Sequence, residues 1–250
     1  MSQLSPLELA YCALVLLLAY GLRGSTGFGG SVGMPLLALV VPIKILVPAW
    51  TLLGLVSSLA ILGKDRKLVD VRKVLVFVPW CALGVAVGLY FFATLDSRTL
   101  LRALGVMVLA YSGYFFWTTL AAPKPGCTPS SPPKFLSLLA AGLAGVVGAL
   151  FGAMATVFFA MYLDVRTMAK TVFRATISAM LLCLCVGRGL GYWAVGEFTR
   201  EVWIAFAMAA PVMFFGIWLG DRIHLRLSEL AFKRVVCGVL VLCGIPLLLR

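Results

Sequence analysis

Charged residues make up only 12% of this 250-residue chain, and acidic ones are the scarcest, with nine Asp and Glu and a single histidine, His224. A soluble domain carries about 25% charged residues, so the composition leaves no room for one. One histidine with so few acidic neighbours cannot build a metal site. Seven cysteines include no Cys-x-x-Cys pair, and all but Cys127 lie in apolar runs, so they read as small core hydrophobes rather than ligands or disulfides. A Gly-x-x-x-x-Gly-Lys-Ser/Thr phosphate loop is missing, which excludes ATP hydrolysis by that route. Period-two alternation is missing too, which excludes an outer-membrane barrel. The N-terminus, Met-Ser-Gln-Leu-Ser-Pro-Leu-Glu, lacks the basic region of a cleaved signal peptide, so the apolar run from about residue 7 is expected to be a retained span. All nine carboxylates read as loop, span-end or N-terminal-edge residues, so a proton relay through a membrane-buried Asp or Glu has no support. No cofactor is expected.

What the chain has in abundance is hydrocarbon: 62% of its residues are hydrophobic and its mean hydropathy is +1.08. A helix crosses a bilayer with about 20 apolar residues. Full spans are expected near 7–22, 44–62, 74–93, 99–118, 135–151, 169–190, 201–219 and 231–249. Two shorter stretches, 24–41 and 152–164, follow the first and fifth of these and are short or interrupted by glycine. The reading is an all-α polytopic membrane protein of two five-element blocks, 1–118 and 135–250. A Pro- and Ser-rich connector, 119–134, joins them and is not expected to be helical.

Relative orientation of the blocks depends on whether the short elements cross the membrane or dip in and return. If each crosses, the second block is inverted, and one face holds 15 of the 21 Lys and Arg, including Arg23. The other face then keeps Lys44, Arg98, Arg102, Arg188, Arg200 and Arg250. If both are re-entrant, the basic residues divide about evenly. The positive-inside rule favours the inverted arrangement in the cytoplasmic membrane, with both termini outside and the connector cytoplasmic. The same rule accounts for the net charge of +12 without nucleic acid as a partner.

The most informative stretch is Arg23-Gly-Ser-Thr-Gly-Phe-Gly-Gly-Ser-Val-Gly-Met-Pro-Leu36, with five glycines between positions 24 and 33. Unpaired backbone groups cost several kcal/mol each in lipid, so this segment must be buried in protein or line a cavity. One reading is close helix packing by small residues. The other is an unwound element offering N–H groups, a half-helix N-terminus and the hydroxyls of Ser25, Thr26 and Ser31 to an anion, with Arg23 as charge partner. In the second block Gly142, Gly145, Gly148 and Gly152 lead to Thr156, with a spacing that suits packing better. Lys170-Thr-Val-Phe-Arg174-Ala-Thr176-Ile-Ser178 carries basic and hydroxyl groups into a span together, and Arg188 lies near the end of the same span. Snorkelling to the interface is the competing reading for Arg174 and Arg188.

Gly27-Phe-Gly29-Gly30-Ser31 with Pro35, the basic loop with Val69-Asp70, and Phe173-Arg174-Ala175-Thr176 together resemble the sulfite exporter TauE/SafE family, also called the toluene-sulfonate uptake permease group. The resemblance covers essentially the whole chain. Two features depart from it: Ser31 and Gly152-Ala-Met-Ala replace fuller glycine signatures, and Pro48-Ala49-Trp50-Thr51-Leu52 stands where the family tends to have Ala-x-Gly-Thr-Ser. The resemblance implies transport of a small anion, commonly sulfite, thiosulfate or an organosulfonate. The substrate site is expected between the blocks, built from Arg23, Gly27, Gly29, Gly30, Ser31, Thr51, Thr156, Arg174, Thr176, Ser178 and Arg188. Membrane lipid is the other expected partner, and no motif decides for or against a homodimer. Two other classes are weighed. A membrane scaffold would show no substrate flux. An intramembrane serine hydrolase is suggested by Gly29-Gly-Ser31-Val-Gly33, but its general base would have to be His224, in a charged turn.

Overall fold

A computed structural model of the chain describes residues 5–26, 30–120, 134–152, 155–163 and 170–222, with residues 238, 243, 244, 246 and 247 beyond them. The side chains of 25, 26, 30, 31, 64, 65, 114–120, 134, 156, 157, 160, 161, 170, 171, 174 and 221 are likewise outside the description. Among the described residues all regular structure is helical: α1 (Pro6–Thr26), α2 (Gly30–Ala38), α3 (Ile43–Asp65), a 3-10 turn (Arg66–Leu68), α4 (Val71–Thr94), α5 (Ser97–Leu120), α6 (Lys134–Phe151), α7 (Ala155–Leu163), α8 (Lys170–Val195) and α9 (Arg200–Arg222). Five of these, α1, α3, α4, α8 and α9, are long and apolar enough to cross a membrane, and α6 is a shorter apolar helix. The protein is an integral, multi-pass membrane protein. Most of the expected span at 231–249, the connector from 121 to 133, Gly27, Gly29 and His224 fall outside the described residues.

Local chemistry sets the helix starts. Ser5 and Glu8 form a capping box at α1: the Glu8 N–H donates to the Ser5 hydroxyl, and the Ser5 N–H donates to the Glu8 carboxylate at 2.8 Å. Asp70 caps α4 by accepting from the Lys73 N–H. Asp96 accepts from the N–H groups of Arg98 and Thr99 at α5, and the Thr99 hydroxyl holds its carboxyl below the usual carboxylate range. Pro35, Pro48, Pro79 and Pro211 lie inside α2, α3, α4 and α9. Neighbouring helices make such interruptions tolerable in a membrane protein.

The glycine-rich stretch is more helical than its composition suggests. Gly24 belongs to α1, while Gly30 and Gly33 belong to α2. A Cβ at Gly33 would lie 2.6 Å from the Ala19 Cβ and 2.9 Å from the Trp50 ring, so its bareness lets α2 fold back against α1 and α3. The Tyr11 hydroxyl donates to the Leu36 carbonyl, which fixes α2 as running back along α1. α3 then runs the same way as α1, with Trp50 beside Tyr20 and Ser58 beside Arg23.

Small residues also dictate the two closest helix pairings. α4 and α9 share the pattern Pro-x-x-x-x-Gly-x-x-x-Gly: Pro79, Gly84, Gly88 and Pro211, Gly216, Gly220. Gly84 lies against the carbonyl of Gly142 and the amide of Val146 on α6, and Gly88 against the Val146 carbonyl. Gly216 lies against the carbonyl of Leu17 and the amide of Gly21 on α1, and Gly220 against the Gly21 carbonyl. Both pairs therefore run parallel, backbone to backbone, in the manner of small-xxx-small packing. In contrast α3 and α8 run antiparallel, with Thr51 at Gly189 and Gly54 at Cys185. Packing also claims Gly33, Gly145 and Gly148, for which anion binding is the competing reading.

Candidate functional site

α3 is the axis of the site. Thr51, Gly54 and Ser58 follow one another at helical spacing on one stripe, and Thr51, Ser57 and Ser58 are all buried. Gly54 is the middle residue of α3. Its carbonyl accepts from the Ser57 hydroxyl at 3.1 Å and from Nη2 of Arg23 at 3.4 Å. The same Nη2 donates to the Ser58 hydroxyl at 2.7 Å, and the Arg23 guanidinium lies 5.9 Å from the centre of the Tyr20 ring.

Arg188 reaches Gly54 from the other half of the chain, with its Nη2 3.5 Å from the point a Cβ at Gly54 would occupy. Nη1 donates to the Gly148 carbonyl at 2.7 Å, and Nη2 lies 3.5 Å from the Cys185 sulfur. One turn further along α8, the Tyr192 hydroxyl donates to the Ala149 carbonyl. Arg188 and Tyr192 therefore hold consecutive carbonyls in the last turn of α6, where the helix dipole favours cations, and the Gly148 carbonyl also accepts from the Gly152 N–H at 2.9 Å. Just beyond, Gly152 takes φ +69°, a left-handed conformation that ends the helix at little cost only for glycine. A Cβ there would meet both Trp50 and Arg188.

Arg23 and Arg188 are 5% and 2% exposed, and they are the only buried charged side chains among the described residues. Neither meets a carboxylate there; the one ion pair described is the surface pair Lys73 with Asp70 at 3.6 Å. Burying a guanidinium without a counter-charge is costly. Two buried donors are also unmatched among the described residues: Nε of Arg188 and the hydroxyl of Tyr20. That hydroxyl lies within electrostatic range of both guanidiniums. Such groups call for a partner that is negative and accepts hydrogen bonds.

Beside this polar cluster is a cavity of about 280 Å³ between α1, α2, α3 and α9, with an apolar lining that includes Leu16, Leu37, Leu53 and Ala209. Trp50 belongs to that lining and also touches Tyr20, so its indole is the wall shared by cavity and polar cluster.

Of the residues expected at the site, Arg23, Thr51 and Arg188 come together around α3. The Thr51 hydroxyl donates back to the Val47 carbonyl at 2.9 Å, and its methyl faces Gly189. Arg188 is sealed inside the protein rather than snorkelling to an interface. Gly30 and Ser31 open α2, Thr156 lies in the first turn of α7 and Arg174 in the first turns of α8. Thr176 and Ser178 are buried on α8. Thr176 is away from the arginines: its hydroxyl donates to the Val172 carbonyl and accepts from the Asp70 N–H at 3.1 Å, tying α8 to the start of α4. Tyr20, Gly54, Ser57, Ser58 and Trp50 were not singled out by sequence reasoning. The stripe of small and polar residues on α3 within an apolar run is the signal that points to Gly54 and Ser58.

The profile of the family described as Sulfite exporter TauE/SafE matches residues 12–247. A relative from Comamonas testosteroni, the probable inner membrane transporter protein TsaS, is 24% identical over 200 residues, covering 78% of this chain and 80% of its own. No solved structure matches.

Proposed function

The chain belongs to the TauE/SafE family of sulfite exporters, and on that premise we propose that it is a secondary transporter of a small sulfur-containing anion, sulfite, thiosulfate or an organosulfonate. The observation that carries the reading is the convergence of Arg23 and Arg188 on Gly54 without a carboxylate among the described residues. The anion sits between these guanidiniums, within reach of Nε of Arg188 and the Tyr20 hydroxyl, with Ser58 holding Arg23 in place. Gly27, Gly29, Gly30 and Ser31 of the first half and Thr156, Arg174 and Ser178 of the second are proposed to contribute to substrate binding on the strength of the sequence. The protein works in the cytoplasmic membrane, with both termini outside.

The two halves act as inverted repeats. In support, exchanging the halves carries α1 packed on α9 into α6 packed on α4, both parallel, and maps the antiparallel pair of α3 and α8 onto itself. Leu17 and Gly21 stand to Gly216 as Gly142 and Val146 stand to Gly84. Symmetric halves meeting at a central polar site suit alternating access by rocking of one bundle against the other.

Uptake of radiolabelled sulfite, thiosulfate and methanesulfonate, against sulfate and acetate, into proteoliposomes preloaded with the same unlabelled anion tests the proposal. Saturable flux of a sulfur anion supports it. Absence of flux for all three, in folded protein, would overturn the sulfur-anion reading in favour of another anion first and then of a scaffold.

A further inference from the structure

The charge balance at Gly54 bears on how the transporter cycles. Arg23 is held by a hydroxyl and a carbonyl, and Arg188 by a carbonyl and a thiol sulfur. All these partners are neutral dipoles. They fix the guanidiniums in place but, among the described residues, leave the two positive charges without a counter-charge. A carrier can reorient empty at low cost when its site neutralises itself, by an internal carboxylate that swings in or by a group that loses its proton. Arg does neither, because it stays protonated in proteins, and no described carboxylate is buried near enough to take the substrate's place.

Resting on the anion-transport reading above, we propose that the site must carry an anion in both directions, so that the protein is an obligatory anion exchanger rather than a carrier that returns empty. With an anion between the guanidiniums the charge is reduced, Nε of Arg188 and the Tyr20 hydroxyl gain an acceptor, and the halves can close over the site. Without one, closure would trap two like charges and two unmatched donors in a low-dielectric interior. The closed, empty state is therefore the high point of the cycle, and a second anion on the far side removes it.

The test measures efflux. Proteoliposomes are loaded with radiolabelled sulfite, thiosulfate or methanesulfonate and diluted into medium containing the same unlabelled anion or only impermeant gluconate. A potassium ionophore clamps the membrane potential so that net charge movement does not limit the rate. Exchange is expected to exceed net efflux by about tenfold or more, the effect of ~1.4 kcal/mol on the empty carrier's barrier. Arg188→Gln, which removes one of the two charges, is expected to shrink that ratio towards one even where its absolute rate is lower. Equal rates in both media for the unmodified protein would overturn the exchange mechanism while leaving transport itself standing. Lack of efflux in either medium for all three anions would overturn the transport reading, and exchange with it.

Discussion

Arg23 and Arg188 stand 165 positions apart in the sequence and meet at one residue, Gly54: Arg23 donates to its carbonyl at 3.4 Å, and Arg188 lies 3.5 Å from where its side chain would begin. Each half of the chain thus contributes one buried cation to the middle of α3.

Replacing either arginine with glutamine removes a charged donor from the anion while keeping much of the side chain's volume. Hydrogen bonds to a charged group contribute ~1.5–3 kcal/mol, so Arg23→Gln and Arg188→Gln should each raise KM for uptake by about tenfold to a hundredfold. The rise should be much larger than any loss of thermal stability. A variant that lost stability but kept its KM would mark its arginine as a helix-end support alone.

At Gly54 the junction leaves little room. A Cβ would lie 2.8 Å from the Cys185 sulfur, so Gly54→Ala must push Cys185, and Arg188 with it, off position. Transport by Gly54→Ala should fall several-fold. Adding Cys185→Ala opens the space and should restore much of it, and an activity no better in the double variant than in Gly54→Ala would contradict the steric account.

Pairing of α4 with α6 and of α1 with α9 depends on bare backbone. Gly84→Leu and Gly220→Leu drive a side chain into the facing main chain; overpacking of this kind costs ~1–3 kcal/mol or more and should lower the melting temperature and the yield of folded protein. Gly63→Ala and Gly113→Ala meet nothing within 4 Å and should leave both unchanged. Equal melting temperatures across the four variants would remove these glycines from the packing account.

Trp50 separates the polar junction from the apolar cavity. Trp50→Leu should join the two spaces and shift preference towards a sulfonate with an aromatic tail. The measurement is the ratio of toluenesulfonate to sulfite uptake, expected to rise relative to the unmodified protein.

Much of this organisation is legible in the sequence, and what is hidden is hidden for physical reasons. Hydropathy marks the helices, because lipid demands continuous apolar runs with satisfied backbones. Arg23 and Arg188 stand out because a cation within an apolar run is costly. Their meeting is not legible, since it depends on α3 packing on α8 in one register, and that register is set by Gly54, Gly189 and other contacts distant in the chain. Glycine is ambiguous for a related reason: Gly33 and Gly84 serve packing, and composition cannot distinguish this from anion binding. The repeated Pro-x-x-x-x-Gly-x-x-x-Gly pattern is present in the sequence but acquires meaning only once each copy faces a partner helix. Thr176 shows the opposite difficulty, as a hydroxyl in a span that resembles a ligand yet engages the backbone at Val172 and Asp70.

Whether paired guanidiniums at Gly54 bind a transported sulfur anion is decided by saturable uptake of radiolabelled sulfite, thiosulfate and methanesulfonate into proteoliposomes preloaded with the same unlabelled anion and containing either the unmodified protein or the Arg23→Gln, Arg188→Gln double variant. Saturable flux of one or more of these anions is expected in the first and its collapse in the second, with both proteins folded. Undiminished flux in the double variant would contradict binding by the paired guanidiniums.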